Sequence, residues 1–141
     1  MRQLNIALCL IEQAGKYLMQ LRNGDPKIGG AGLIGCFGGK IEDGESSVQA
    51  ASREVGEETN HKAGHDQLSY LGEVNVFSDH NLEPVQVRAH VHRLVVDATA
   101  KIEAVEGKLV RMTIDEVKEN LGKLTTGTRA CFEKLVFEET E

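Results

Sequence analysis

The sequence predicts an α/β protein, an α/β/α sandwich in which a mixed β-sheet lies between a central helix and a C-terminal helix. Three observations favour this class. Apolar runs that suit strands occur in both halves of the chain, a stretch of helical periodicity separates them, and further helical periodicity ends the chain. A length of 141 residues favours a single domain over residues 1–141 with one core.

The amino-terminal part of the chain predicts a hairpin followed by a loop and a short strand. Residues 4–11 and 16–21 are apolar runs that suit strands, and residues 12–15 between them predict the hairpin turn. Residues 23–32 are dense in turn formers and predict a mobile loop that gates a site. Residues 33–37 then predict a short strand that leads into Gly38 and Gly39.

Residues 46–59 predict the central helix. Ser46 or Ser47 is the expected N-cap, because a serine side chain accepts a hydrogen bond from a free N–H of the first helical turn. Val48, Ala51 and Val55 recur at helical spacing and predict the side that faces the core.

The second half of the chain predicts three strands and two helices. Strands are expected at residues 68–77, 85–92 and 109–112, and helices at residues 114–121 and 124–137 with Gly122 between them. Residues 78–83 predict a polar loop in which His80 is a candidate to assist a leaving group. His90 and His92 fall on one face of their strand, where contact with a substrate is one interpretation.

Composition and charge exclude some classes of function. A formal net charge of −6 and a pI near 5.4 argue against binding to a nucleic acid backbone, which needs a basic surface. No apolar run is long enough to span a bilayer, and Glu12 interrupts the apolar run near the start, so this run predicts a strand and not a signal peptide. Three cysteines without metal-ligand spacing fit a reducing, cytoplasmic setting.

Three glutamates of the central helix form the main candidate site. Glu54, Glu57 and Glu58 have the spacing i, i+3 and i+4, so their side chains share one side of a helix. Like charges at this spacing repel each other, and a divalent cation would offset the repulsion. Oxygen ligands favour Mg²⁺ or Mn²⁺ over zinc. The alternative is a structural domain whose acidic helix face is merely solvated.

The residues around these glutamates resemble the Nudix box of the Nudix hydrolase family. The match consists of Gly39, Glu45, Arg53, Glu54, Val55, Glu57 and Glu58. Two positions depart from the pattern, since the family usually has glycine at Asn60 and an aliphatic residue at His61. Glycine at the position of Asn60 permits a left-handed residue at the helix end, and asparagine tolerates that conformation. His61 would bring a polar ring to a normally buried site, where it needs a hydrogen-bond partner.

The resemblance implies a Nudix fold, a metal site and a phosphate site. The implied ligands of Mg²⁺, with Mn²⁺ as the other option, are the Gly38 carbonyl and the carboxylates of Glu54, Glu57, Glu58 and Glu106. Glu103 is the alternative to Glu106 as the additional acidic ligand. Arg22 and Gly39 are the residues expected to approach the substrate phosphates. Glu45 and Arg53 are interpreted as an ion pair that holds the loop on the helix and not as catalysts.

The activity that the resemblance implies is metal-dependent hydrolysis of a nucleoside diphosphate linked to another group. The three candidate catalytic residues are Glu54, Glu57 and Glu58. Glu54 is the candidate general base among them. Residues 37–42 are similar to the sanitising nucleoside-triphosphate pyrophosphatases of the family, which favours a nucleoside triphosphate as substrate. The alternatives are a nucleotide-sugar or ADP-ribose pyrophosphatase and a module that senses a nucleotide without cleaving it. A homodimer is an assembly that the family commonly forms.

Overall fold

The computed structural model describes residues 2–24, 32–80 and 83–140. In this part of the chain a mixed sheet lies between helices, as the sequence predicted. The strands are β1 (Arg2–Gln13), β2 (Lys16–Leu21), β3 (Ile34–Gly35), β4 (Phe37–Lys40), β5 (Leu68–His80), β6 (Glu83–Val95) and β7 (Lys108–Met112). The helices are α1 (Ser47–Glu58), α2 (Ile114–Glu119), α3 (Thr126–Cys131) and α4 (Phe137–Thr140). Short 3₁₀ turns span His65–Gln67 and Leu121–Lys123, and a π-helical stretch, Phe132–Val136, joins α3 to α4.

Strand β1 is the centre of the sheet. It pairs in parallel with β6 on one edge, and on the other edge it pairs antiparallel with β4 and then with β2. The sheet continues from β2 to β3 and β7 and from β6 to β5. Residues 7–11 of β1 are all buried, because helices cover both faces of the sheet at this strand.

The side chains of β1 alternate between two cores. Ala7, Cys9 and Ile11 pack with α1, whereas Leu8 and Leu10 pack with the C-terminal helices on the opposite face. Helix α1 therefore forms one outer layer, and α2, α3 and the π-helical stretch contribute to the other. This arrangement is the α/β/α sandwich expected from the sequence.

The N-terminal hairpin and the start of α1 follow the local sequence. Ala14 and Gly15 both have positive φ angles, 51° and 79°, as a tight two-residue hairpin turn requires. Ser46 is the N-cap of α1, and it forms a reciprocal capping box with Gln49. Of the predicted core-facing residues, Ala51 and Val55 are fully buried in the core beside this helix, and Val48 is partly buried against it.

The long hairpin of β5 and β6 corrects the predicted loop over residues 78–83. Ser78, Asp79 and His80 are paired with Val85, Pro84 and Glu83, so both strands extend through most of that segment. The antiparallel register shifts between Tyr70 and Gly72, and from Gly72 the backbone pairing continues even where the side chains become polar. Only residues 81 and 82 separate the strands, and they lie outside the described residues.

The strand predicted at residues 33–37 is interrupted in the structure. Strand β3 ends at Gly35 and β4 begins at Phe37, because the backbone N–H of Cys36 donates to the Thr128 hydroxyl, 3.0 Å away, instead of to another strand. The gating loop predicted at residues 23–32 lies mostly on residues 25–31, which are outside the described residues.

The C-terminal helices are shorter than predicted. Helix α2 ends at Glu119, and a 3₁₀ turn then runs through Gly122. The next helix begins at Thr126 and not at residue 124, because Leu124 bridges to Ile34 and the Thr125 N–H donates to the Ile34 carbonyl. No helix in the described ranges is long and apolar enough to cross a membrane.

Candidate active site

Glu58 connects the end of α1 to the glycine turn of β4. Its Oε1 accepts a hydrogen bond from the backbone N–H of Gly38 at 2.8 Å. Burial of the carboxylate raises the pKa of Glu58 to about 7. The Gly38 N–H opposes that rise, and the nearby Glu54 carboxylate adds to it. Glu58 is thus an acidic group whose charged form is disfavoured by its burial.

Glu54 lies directly against the backbone of Gly39. A Cβ atom built on Gly39 would come within 2.5 Å of Glu54 Oε1 and 2.6 Å of its carboxyl carbon, which is closer than such atoms approach. Arg53 Nη1 donates to Glu54 Oε1 at 2.8 Å. The Glu54 carboxylate therefore occupies space that a side chain at Gly39 would fill.

Glu57 is the most exposed of the three, with 59% of its side chain accessible. Its carboxylate oxygens are 3.4 Å from Arg53 Nη1, so Glu54 and Glu57 share one guanidinium while Glu58 turns to the Gly38 amide. Among the described residues, no group of three or more His, Cys, Asp or Glu side chains is arranged to hold a metal ion. The helix therefore brings the three glutamates to one side, but their carboxylates do not converge on a single point.

Arg53 and Glu45 form a two-pronged ion pair. Arg53 Nε is 2.8 Å from Glu45 Oε2, and Arg53 Nη2 is 3.0 Å from Glu45 Oε1. Arg53 Nη2 also donates to the carbonyl of Lys40, and the Glu42 N–H donates to Glu45. The hydrogen bonds from Arg53 hold the pKa of Glu45 at about 2. The pair fastens the loop after β4 to α1.

A cleft of about 670 Å³ opens beside these residues. Arg22, Gly38, Gly39, Lys40, Glu58 and Glu106 are its polar wall near the box. The apolar wall of the cleft comes from β1, β5 and β6, with Leu4, Ile6, Leu8, Val76 and Val87. One cleft thus joins carboxylates, cationic side chains and an apolar surface.

Glu106 and Glu103, the two candidates for the additional acidic ligand, line different depressions of the surface. Glu106 lines the cleft together with Glu58. Glu103 lines a separate depression with Lys101 and Arg111. The position of Glu106 is therefore the one compatible with a site shared with the box glutamates.

Several cleft residues were not selected from the sequence. Gln20 and Cys36 line it, as do the residues of the turn that opens α3, which are Thr125, Thr126, Gly127 and Thr128. The three threonines around a glycine indicated only an uncertain helix start. Their approach to the cleft depends on a contact between residues 92 positions apart, the Thr128 hydroxyl and the Cys36 amide, which no local pattern reveals.

The structure corrects two interpretations of residues near the helix end and in the sheet. Asn60 does not have a positive φ angle, so it is not a left-handed cap, and α1 ends instead in an extended residue, Thr59. His90 and His92 lie on the side of the sheet that faces α1, away from the cleft, where His92 Nε2 is 3.0 Å from the Ser47 hydroxyl.

His61 and His80 are the other two histidines that the sequence analysis discussed. His61 is half-buried, and its backbone N–H donates to the Thr59 hydroxyl at 3.1 Å. His80 is the last residue of β5, and the structure does not describe its side chain.

Known proteins resemble both the sequence and the fold. The family model described as NUDIX domain matches residues 1–135. An oxidized purine nucleoside triphosphate hydrolase of Danio rerio is 37% identical over 82 residues, which are 53% of this chain and 50% of that relative. The aligned stretch therefore spans about half the length of that relative.

Solved structures share the fold across nearly the whole chain. A MutT Nudix hydrolase from Burkholderia pseudomallei superposes with a TM-score of 0.76 at 23% identity, covering 96% of this chain and 100% of that one. A bifunctional NMN adenylyltransferase/ADP ribose pyrophosphatase from Francisella tularensis, complexed with AMP and a Mn ion, gives 0.73 at 21% identity, covering 96% of this chain and 42% of that one. With the family model matched over residues 1–135, the chain belongs to the Nudix hydrolase family.

Proposed function

We propose that this chain is a Mg²⁺-dependent hydrolase that cleaves the pyrophosphate linkage of a nucleoside triphosphate, acting as a nucleotide-pool sanitising enzyme. One observation carries the proposal: Glu58 and Glu106 line the same cleft as Arg22, the glycine turn and a set of apolar side chains. The similarity to the Danio rerio relative, an oxidized purine nucleoside triphosphate hydrolase, supports the same substrate class. Residues 1–141 act as one domain in this proposal.

The chemistry of the donors, and not their convergence on one point, fits a hard divalent cation. The donors are oxygen atoms, and burial raises the pKa of one of the carboxylates, Glu58, to about 7, so a nearby positive charge would stabilise its ionised form. The residues that would hold Mg²⁺, or Mn²⁺, are Gly38 through its carbonyl, Glu54, Glu57, Glu58 and Glu106. A bound cation supplies neutralisation of phosphate charge and a more acidic water.

The chain's own residues provide orientation and proton transfer. A water attacks a phosphorus atom, the P–O bond to the pyrophosphate leaving group breaks, and the nucleoside monophosphate is released. Glu54 is the proposed acceptor of the water proton, because its carboxylate lies against Gly39, a residue that lines the cleft. Arg22 and the Gly39 backbone contact the phosphates, and the apolar wall is the surface available to the base.

A hydrolysis panel tests this proposal. Purified protein is incubated with Mg²⁺ and with ordinary and oxidised nucleoside triphosphates, ADP-ribose and nucleotide sugars, and the products are separated by chromatography. Release of a nucleoside monophosphate and pyrophosphate from a triphosphate is expected. Turnover of ADP-ribose or a nucleotide sugar alone would support the other pyrophosphatase classes. Nucleotide binding without turnover would indicate a sensing module, and no rise in melting temperature with Mg²⁺ would indicate a solvated acidic helix.

The additional acidic ligand can be tested with two matched substitutions. Glu106→Gln and Glu103→Gln remove the same charge from exposed residues of one segment. Because only Glu106 lines the cleft among these two, Glu106→Gln should lower kcat by at least about tenfold and raise the Mg²⁺ requirement, while Glu103→Gln should retain turnover. Equal losses in both variants, or none in Glu106→Gln, would contradict this role.

Location and assembly complete the proposal. The three cysteines are free in the structure, in keeping with a reducing compartment, and we include a cytoplasmic location on that ground. The net charge of −6 supports a small nucleotide as partner and argues against a nucleic acid. A homodimer is proposed from the family resemblance and is tested by light scattering of the purified chain.

A further inference from the structure

The segment of residues 101–107 carries Glu106 to the cleft, and it is fastened to the end of α1. The Val105 N–H donates to the carbonyl of Glu58 at 2.9 Å, and Thr59 forms an antiparallel bridge with Ala104. The Asn60 N–H donates to the Glu103 carbonyl at 3.2 Å. The backbone of this segment therefore runs alongside the residues that follow the box glutamates.

Asn60 adds two side-chain hydrogen bonds to this attachment. Its Nδ2 donates to the carbonyl of Lys101 at 2.7 Å, and its Oδ1 accepts from the N–H of Glu103 at 2.9 Å. The amide thus bridges two backbone groups of the segment that precedes Glu106. Asn60 is also a position where this chain departs from the Nudix box, and a glycine there could form neither bond. Its φ angle is not positive, so the backbone does not require glycine.

Gln20 holds the other end of the segment from strand β2. Its Nε2 donates to the carbonyl of Glu106 at 2.7 Å. The next residue, Gly107, has φ of 66°, and a Cβ atom there would lie 2.3 Å from the carbonyl oxygen of Leu21. This turn is therefore packed closely against β2, and the residue that carries the carboxylate is held between β2 and α1.

We propose that Asn60 and Gln20 are positioning residues that together hold the Glu106 carboxylate at the metal site. The inference rests on the proposed function, in which Glu106 is a ligand of the cation. An exposed carboxylate on an unsupported loop would have to be ordered when the cation binds, and that ordering would weaken the affinity. The three side-chain hydrogen bonds order the segment beforehand, at residues 101 and 103 and at the carbonyl of Glu106 itself.

The test measures Mn²⁺ binding to the whole chain without nucleotide, by isothermal titration calorimetry. The variants are Asn60→Gly, which introduces the residue usual in the family, and Gln20→Met, which keeps the length of the side chain and removes the donor. Each should raise the Kd for Mn²⁺ by about tenfold, the effect typical of lost support for a metal ligand. In turnover assays the Mg²⁺ concentration for half-maximal rate should rise by a similar factor, with a smaller change in kcat at saturating Mg²⁺.

Two controls separate positioning from general destabilisation. Asn75→Gly and Gln86→Met make the same changes in β5 and β6, on the side of the sheet away from the cleft, and they should leave the Kd for Mn²⁺ unchanged. In a Glu106→Gln background, Asn60→Gly and Gln20→Met should have no further effect on the Kd, because the group they position is already lost.

The outcomes distinguish this inference from the function on which it rests. An unchanged Kd in Asn60→Gly and Gln20→Met, or the same loss with and without Glu106, would overturn the positioning role alone. Failure of the unsubstituted chain to bind Mn²⁺ would overturn the proposed function and this inference together. A tenfold loss of Mn²⁺ affinity that disappears in the Glu106→Gln background supports the positioning role and the proposed function.

Discussion

Substituting the two adjacent glycines of β4 by alanine should separate folding from catalysis. At Gly38 the backbone has φ of 151°, and an added Cβ would lie 2.2 Å from the Ala7 carbonyl oxygen and 2.8 Å from the Leu8 Cα. These are atoms of the central strand, which cannot move without disturbing the sheet. At Gly39 the nearest atoms belong to the carboxylate of Glu54, the end of a flexible side chain.

The expected cost of Gly38→Ala is large. An unfavourable φ angle costs about 1–3 kcal/mol, and overpacking against fixed atoms costs about 1–3 kcal/mol more. The free energy of unfolding should therefore fall by about 3 kcal/mol. The unfolding entropy is ~2.1 cal/mol/K per residue, or about 0.3 kcal/mol/K for this chain, so the melting temperature should fall by about 10 °C.

The expected effect of Gly39→Ala is mainly catalytic. The Glu54 oxygen would have to move by roughly 0.5–1 Å to restore an ordinary contact, and a displacement of this size at a reacting group costs on the order of a hundredfold in rate. The melting temperature should change little, because only a side-chain end is displaced. Differential scanning fluorimetry and the nucleoside triphosphate assay measure both quantities on the same samples.

Two results would contradict these roles of Gly38 and Gly39. Full turnover by Gly39→Ala would mean that the position of the Glu54 carboxylate does not matter to the reaction. A fall in melting temperature as large for Gly39→Ala as for Gly38→Ala would mean that the turn is held by its backbone at both residues, and not by the contacts described.

Two further predictions concern stability. Thr128→Val should destabilise the fold by about 1–3 kcal/mol in chemical denaturation, because it leaves the partly buried Cys36 N–H without its acceptor, whereas the exposed Thr126→Val should stay within about 0.5 kcal/mol; similar effects would contradict the role of this hydroxyl. The ion pair of Glu45 with Arg53 should stabilise the fold above pH 4.5, and this contribution should be lost as the pH falls toward 2, because the folded pKa of Glu45, about 2, lies below its ordinary value of 4.5. The difference in melting temperature between wild type and Glu45→Gln should therefore shrink over that range, and a constant difference would show that the charge of Glu45 is not responsible.

Elements with strong local signals were predictable from the sequence. The strand predicted over residues 4–11, the turn at Ala14 and Gly15, and the capped helix α1 each depend on residues that lie close together in the chain. The carboxylates of the box also follow from helical spacing, which places them on one side of α1.

Features that depend on distant contacts were not predictable. The break in the strand at Cys36 is caused by a hydroxyl on the C-terminal helix, and the role of Asn60 depends on carbonyl and amide groups about 41 to 43 residues away. The length of β5 and β6 was underestimated because backbone pairing continued beyond the apolar alternation. In each case a hydrogen bond formed in the tertiary structure overrode the local signal.

The proposed metal site is tested most directly by comparing wild type with Glu57→Gln in the turnover of a nucleoside triphosphate with Mg²⁺. Glu57 is exposed, with weak contacts to Arg53, so its substitution should leave the melting temperature nearly unchanged. If the box glutamates act through a bound cation, release of nucleoside monophosphate should fall about a hundredfold or more. Undiminished turnover by a folded Glu57→Gln variant would contradict the assignment of the metal site.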